Sequence, residues 1–191
     1  MENLETGSIE IDGIDLASVP LQTLRKKICI IPQDPVMFTA SLRYNLDPFS
    51  EYTDGQIWEV LERVQLKEAV ENMAGQLVSD VAENGENLSV GTRQLICFAR
   101  ALLRKPKVIV LDEATAAVDN NTDNLIQEMI RDKLKDCTVL TIAHRLHTII
   151  ESDKVMVLDA GLLAESGSPQ QLIEKKGIFG QMWQSYVTSH E

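Results

Sequence analysis

An apolar run, Val108-Ile109-Val110-Leu111, ends abruptly in two carboxylates, Asp112 and Glu113. Just before it, Leu95, Phe98, Ala99, Leu102 and Leu103 recur at helical spacing, and Pro106 separates the two segments. The apolar run reads as a buried strand, and in a chain whose strands are separated by helices and end in polar residues it argues for a mostly parallel sheet with helices on its faces. Open sheets of that kind receive ligands in the crevice at the carboxyl ends of their strands. The two acids are therefore delivered to a cleft. Ser89 and Gly91 lie at the start of the helical segment. There, unpaired amides and the helix dipole favour an anion. The first reading is a part of a phosphate-handling enzyme.

The rest of the chain fits that α/β frame. Ile9 and Ile11 alternate with polar residues, Asp12-Gly13 supplies a tight turn, and Ile14 and Leu16 resume the alternation, which predicts a hairpin. Pro20 opens a helical turn, and Ile28-Cys29-Ile30-Ile31 reads as a strand stopped by Pro32, with Gln33 next. Residues 41–73 are helical in character, with a capping box at Thr53-Asp54-Gly55-Gln56. Asp80 to Asn87 reads as an acidic loop. A helix is expected from about Asn121 to Leu134, then a strand at Thr138 to Ile142 with His144 past its tip. A short helix at 147–150 follows, then a hairpin about Asp159-Ala160-Gly161 and a second capping box at Ser168-Pro169-Gln170-Gln171. The tail reads as a helix carrying Phe179, Met182, Trp183 and Tyr186.

Composition narrows the partners. The net charge of −11 argues against a nucleic-acid surface, which needs a basic stripe, though one nucleotide needs only local donors. No apolar run approaches the roughly 20 residues that span a bilayer, and the start, MENLETGSIE, has no secretion signal. Cys29, Cys97 and Cys137 lack metal-ligand spacing and read as reduced core residues. The Asn-x-Ser/Thr matches at Asn87 and Asn120 read as chance.

Taken singly, each polar candidate has a plain alternative. Asp112 and Glu113 suit a Mg²⁺ ion and the orientation of an attacking water, or they merely begin a loop. Gln33 suits the cation or a water through its amide, or it is a loop glutamine. His144 suits a terminal phosphate, or it is a satisfied surface or core histidine. Ser89 and Gly91 suit phosphate, or they form only an N-cap. Together they gain force, because each polar group follows a strand or opens a helix in one α/β unit.

The order Gln33, then Leu88-Ser89-Val90-Gly91, then Val108 to Glu113, then Ala116-Ala117-Val118-Asp119, then His144 resembles the nucleotide-binding domain of ATP-binding cassette (ABC) proteins. These match its Q-loop, signature motif, Walker B strand, D-loop and switch histidine. The segments IIPQDPVMF, SLRYNLDPF, LDEATAAVD and TIAHRL are closer still to the second such domain of C-subfamily, multidrug resistance-associated exporters. The resemblance implies a P-loop NTPase, RecA-like α/β fold with a helical subdomain. It implies a partial domain over 1–191: core with the Q-loop at 1–40, helical subdomain with the signature at 41–105, and core with Walker B, D-loop and switch histidine at 106–191. It also implies ATP and Mg²⁺. Asp112 and Gln33 would hold the ion, Glu113 would activate water, and His144 would contact the γ-phosphate. Ser89, Gly91 and Asp119 would serve the nucleotide interface with a second, head-to-tail domain. Transmembrane domains of an exporter would be the other partner, which sets the chain on the cytoplasmic face of a membrane.

One motif departs from the family. A P-loop needs Gly-x-x-x-x-Gly-Lys-Ser/Thr, and none of the ten glycines here is followed by Lys. By the resemblance the chain starts just after the P-loop helix, so the P-loop strand and helix are expected to be missing, and strand 138–142 is expected to lie at an open edge. Thr92 stands where the family usually has Gln. Three readings follow: the C-terminal part of an exporter's ATPase domain; a non-catalytic fragment that donates its signature motif to a partner's ATP; and a soluble ABC ATPase of DNA repair or translation, which the acidic charge disfavours.

Overall fold

The computed structural model describes residues 6–114, 118–142 and 145–190. It divides into two compact units, Met1–Leu140 and Thr141–Glu191.

In the first unit, β1 (Glu10–Ile11) and β2 (Ile14–Asp15) form a short hairpin about Asp12-Gly13. Leu16 does not extend β2. It begins a 3₁₀ turn capped by the Asp15 carboxylate, which accepts from the Ala17 amide at 3.0 Å. Helix α1 (Leu21–Lys27) leads into β3 (Ile28–Ile31). A small antiparallel pair, β4 (Ala40–Ser41) with β5 (Asp80–Val81), brackets three helices, α2 (Leu42–Leu46), α3 (Asp54–Arg63) and α4 (Lys67–Glu71). The predicted capping box is formed at α3: the Thr53 hydroxyl accepts from the Gln56 amide while the Gln56 side chain accepts from the Thr53 amide. The segment read as a loop at 80–87 thus opens with a paired strand. Asn87 closes it, accepting from the Ala82 amide and donating to the Asp80 carbonyl, both at 2.9 Å.

Helix α5 (Val90–Arg104) ends at Lys105, whose left-handed backbone turns the chain into β6 (Val108–Asp112). Helix α6 (Asn120–Lys133) and strand β7 (Thr138–Ile142) follow. The central sheet has the order β3-β6-β7. β3 and β6 run parallel, with Ile28 opposite Val108 and Ile31 opposite Leu111. One face of this pair carries Cys29, Ile31, Ile109 and Leu111, all buried, and α5 packs on β3. Phe98 and Ile96 of α5 join the same core with Ile57 and Leu61 of α3, Leu42 of α2 and Ile126 of α6. Each such side chain, fully buried, stabilises the fold by about 1.5–3 kcal/mol.

The opposite face is open. Ile30 is 61% exposed and Leu140 46% exposed, and β7 lies at an edge of the sheet among the described residues, as expected.

In the second unit, α7 (Leu146–Ile149) precedes a hairpin of β8 (Val155–Asp159) and β9 (Leu162–Gly167). Helix α8 (Pro169–Lys175) begins with the predicted capping box at Ser168 and Gln171. Helix α9 (Ile178–His190) completes the unit. Its core is Leu146, Val155, Leu172 and Phe179.

Candidate functional site

The parallel register of β3 and β6 decides where the first group of candidates lies. With Ile31 opposite Leu111, Pro32-Gln33 and Asp112-Glu113 leave the sheet at the same end, the carboxyl ends of neighbouring parallel strands. The side chains of Ile109 and Leu111 are buried, whereas Asp112 is exposed and Glu113 half-buried. Apolar burial anchors the strand and places its two acids at the rim. Glu113 adopts φ of +47°, so the chain turns sharply out of the strand at that residue. Gln33 is exposed in a bend just past Pro32.

The second group is built on helix starts. Ser89 is the N-cap of α5, and its hydroxyl accepts from the Thr92 amide at 3.0 Å. The same oxygen lies 2.8 Å from the Thr92 hydroxyl, a bond that glutamine at that position would not form in this way. Ser89 is exposed and Gly91 buried. A Cβ on Gly91 would sit 3.0 Å from the Thr122 Oγ1 atom, so a larger residue would press on the Thr122 side chain, and glycine lets the start of α5 pass the first turn of α6 without displacing it. Thr122 belongs in turn to Asp119, the N-cap of α6. The Asp119 carboxylate accepts from the amides of Asn121 at 3.0 Å and Thr122 at 3.1 Å, and from the Thr122 hydroxyl at 2.7 Å. The Thr122 hydroxyl above all, with these amides, holds the Asp119 carboxyl below its ordinary pKa.

Ser89 thus caps the helix that Gly91 helps begin, and the structure brings Gly91 and Asp119 against one residue, Thr122, that sequence reasoning had passed over. Its signal was local: a threonine three residues after an Asp N-cap can bond back to it. Gln33, Asp112 and Glu113 share a sheet end. His144, and residues 116 and 117 of the D-loop segment, lie outside the described residues.

A magnesium ion requires few protein ligands, often one or two carboxylates with phosphate oxygens and waters. The exposed Asp112 carboxylate, with the Gln33 amide on the neighbouring strand tip, is a donor set of that kind. Among the described residues no cluster of three or more His, Cys, Asp or Glu side chains forms a self-sufficient metal cage.

Residues 1–116 match the family model described as "ABC transporter". The chain belongs to that family. It is 58% identical over 173 residues to ATP-binding cassette sub-family C member 2 of Homo sapiens, covering 91% of this chain and 11% of that protein. It is 54% identical over 179 residues to human ATP-binding cassette sub-family C member 4, covering 93% of this chain and 14% of that protein. The fold matches a solved structure, "Structure of a bacterial Atm1-family ABC exporter with ATP bound", with a TM-score of 0.89 and 33% identity over 96% of this chain and 32% of that one. These relatives identify a C-subfamily nucleotide-binding domain with the P-loop NTPase fold of an ABC exporter. The chain spans only 11% to 14% of the length of the curated relatives quoted.

Proposed function

We propose that this chain is the C-terminal part of the second ATP-binding and ATP-hydrolysing domain of an ABC exporter, coupling hydrolysis to transport. The observation that supports it most is the β3–β6 register, which sends Gln33, Asp112 and Glu113 out at one end of the sheet. In this reading Asp112 and Gln33 would hold Mg²⁺, which when bound offsets phosphate charge. Glu113 orients and deprotonates the attacking water, and His144 meets the γ-phosphate. Ser89, Gly91 and Asp119 face the nucleotide of a second, head-to-tail domain. Residues 1–40 and 106–191 form the core and 41–105 the helical subdomain. Transmembrane domains of the exporter are the other partner, at the cytoplasmic face of the membrane. No helix among the described residues is long and apolar enough to cross a membrane. The net charge of −11 argues against a basic surface for nucleic acid.

A second reading has its own observation. No glycine in the sequence is followed by lysine, so the chain holds no P-loop, while Ser89 and Gly91 of the signature half-site lie within it. The chain then donates Ser89 and Gly91 to a partner's ATP without hydrolysing its own.

One substitution pair separates the two in the complete transporter. Under the first reading Glu113→Gln lowers ATP turnover by about 100-fold or more, the worth of a general base, and leaves ATP binding intact. Under the second, Glu113→Gln leaves turnover at the wild-type level while Ser89→Ala removes it. Full turnover in both variants sinks both readings.

A further inference from the structure

Helix α5 does more than present Ser89 and Gly91: it also holds the backbone on both sides of Gln33. Gln94 is 1% exposed, and its amide nitrogen donates to the Pro32 carbonyl at 3.3 Å. Its amide oxygen is buried with no hydrogen-bond partner among the described residues. Neighbouring positions of α5 carry Leu95, Ile96, Cys97 and Phe98, all buried and apolar. Leucine there would fill similar space without an orphaned acceptor, so packing does not account for a glutamine.

Further along α5, Arg100 donates to the Val36 carbonyl at 2.7 Å, to the Asn45 carbonyl at 2.5 Å and to the Asn45 Oδ1 atom at 3.0 Å. Asn45, itself 1% exposed, accepts from the Phe38 amide and donates to the Phe38 carbonyl, both at 2.9 Å. Residues 36–38 are thus fixed to α5 and α2, and Pro32 is fixed to α5. Gln33, Asp34 and Pro35 run between two anchored carbonyls. The rise along α5 from residue 94 to residue 100 is about 9 Å, and the chain from Pro32 to Val36 reaches at most roughly 14 Å. The segment is tethered at both ends without being fully extended.

We propose that Gln94 and Arg100 are positioning residues that set the conformation of the Gln33 segment and join it, through rigid α5, to the Ser89–Gly91 half-site. A displacement of the α5 start by a partner's nucleotide is then felt at Gln33, and the reverse. The coupling rests on the proposed nucleotide roles of Gln33 and Ser89; the anchoring does not.

Hydrogen–deuterium exchange on the complete transporter tests both. Without nucleotide, Gln94→Leu speeds exchange across 33–38 by roughly tenfold, the size expected for a lost hydrogen bond, and leaves α3 unchanged. Gln94→Met and Arg100→Lys repeat the test should the leucine variant fail to fold. Unchanged exchange at 33–38, or equal acceleration in α3, overturns the anchoring. With an ATP analogue whose β–γ bridge resists hydrolysis, protection of 33–38 and of 89–93 rises together in the wild type. In Gln94→Leu the two separate. Persistence of the joint response in the variant overturns the coupling. A wild type that shows no nucleotide effect at either segment overturns the nucleotide reading of those residues and the coupling with it, while the nucleotide-free comparison still decides the anchoring.

Discussion

Asp119 shows how one side chain links two motifs. Its carboxylate takes two amides and one hydroxyl from the first turn of α6, and the same Thr122 side chain lies against Gly91 at the start of α5. Every one of these donors favours the ionised form, which is why the carboxyl sits below its ordinary value near 3.8. The sign of the pH effect follows. A depressed folded pKa gives a contribution that is fully present above the unfolded value and is lost as pH falls through the folded one. Titration followed by the amide resonances of Asn121 and Thr122 is expected to show a midpoint below 3.8, moving up toward that value in Thr122→Val. A midpoint at or above 3.8 in the wild type would refute the assigned bonds. The cysteines make a contrast at the same scale. The sequence suggested reduced core thiols, and all three are free, with Cys29 and Cys97 buried and Cys137 half-buried. Burial pushes each thiol pKa up, away from reactivity.

At the scale of elements, helix ends were the most readable part of the chain. Both capping boxes, at Thr53 and Ser168, and the Ser89 N-cap depend on contacts within four residues, so local sequence suffices to specify them. The strands expected at 28–31, 108–111 and 138–142 were equally plain, because short apolar runs rich in β-branched residues have few alternatives. The cap of α9 was not readable, since its acid comes from another element. Glu165, on β9, accepts from the amides of Ile178 at 2.7 Å and Phe179 at 3.1 Å. A Cβ on Gly177 would collide with that carboxylate. Glu165→Ala is expected to destabilise the second unit by about 1 kcal/mol, the usual worth of an N-cap. Chemical denaturation followed by Trp183 fluorescence in a Trp58→Phe background measures it, and an unchanged midpoint would show that the cap contributes nothing.

At the scale of the whole molecule, the central sheet exposes what a parallel sheet normally buries. Val139 packs into the main core, so Leu140 faces the other way, onto the open side with Ile30 and Val110. Unpaired strand edges beside apolar faces invite association. The 191-residue chain is expected to self-associate in concentrated solution despite its net charge of −11, and Leu140→Lys to reduce light scattering. Equal scattering from the variant would place the contact elsewhere. The amino-acid sequence by itself determined most element types, the caps that close within four residues, the order of the motifs and the family they spell, because each of these depends on neighbours along the chain. Only the tertiary structure decided that Gly91 rests on Thr122, that Gln94 and Arg100 grip the carbonyls flanking Gln33, and that Glu165 caps α9. Those contacts join residues from 13 to 64 positions apart. Nothing local distinguishes such partners until hydrophobic burial has brought their elements together.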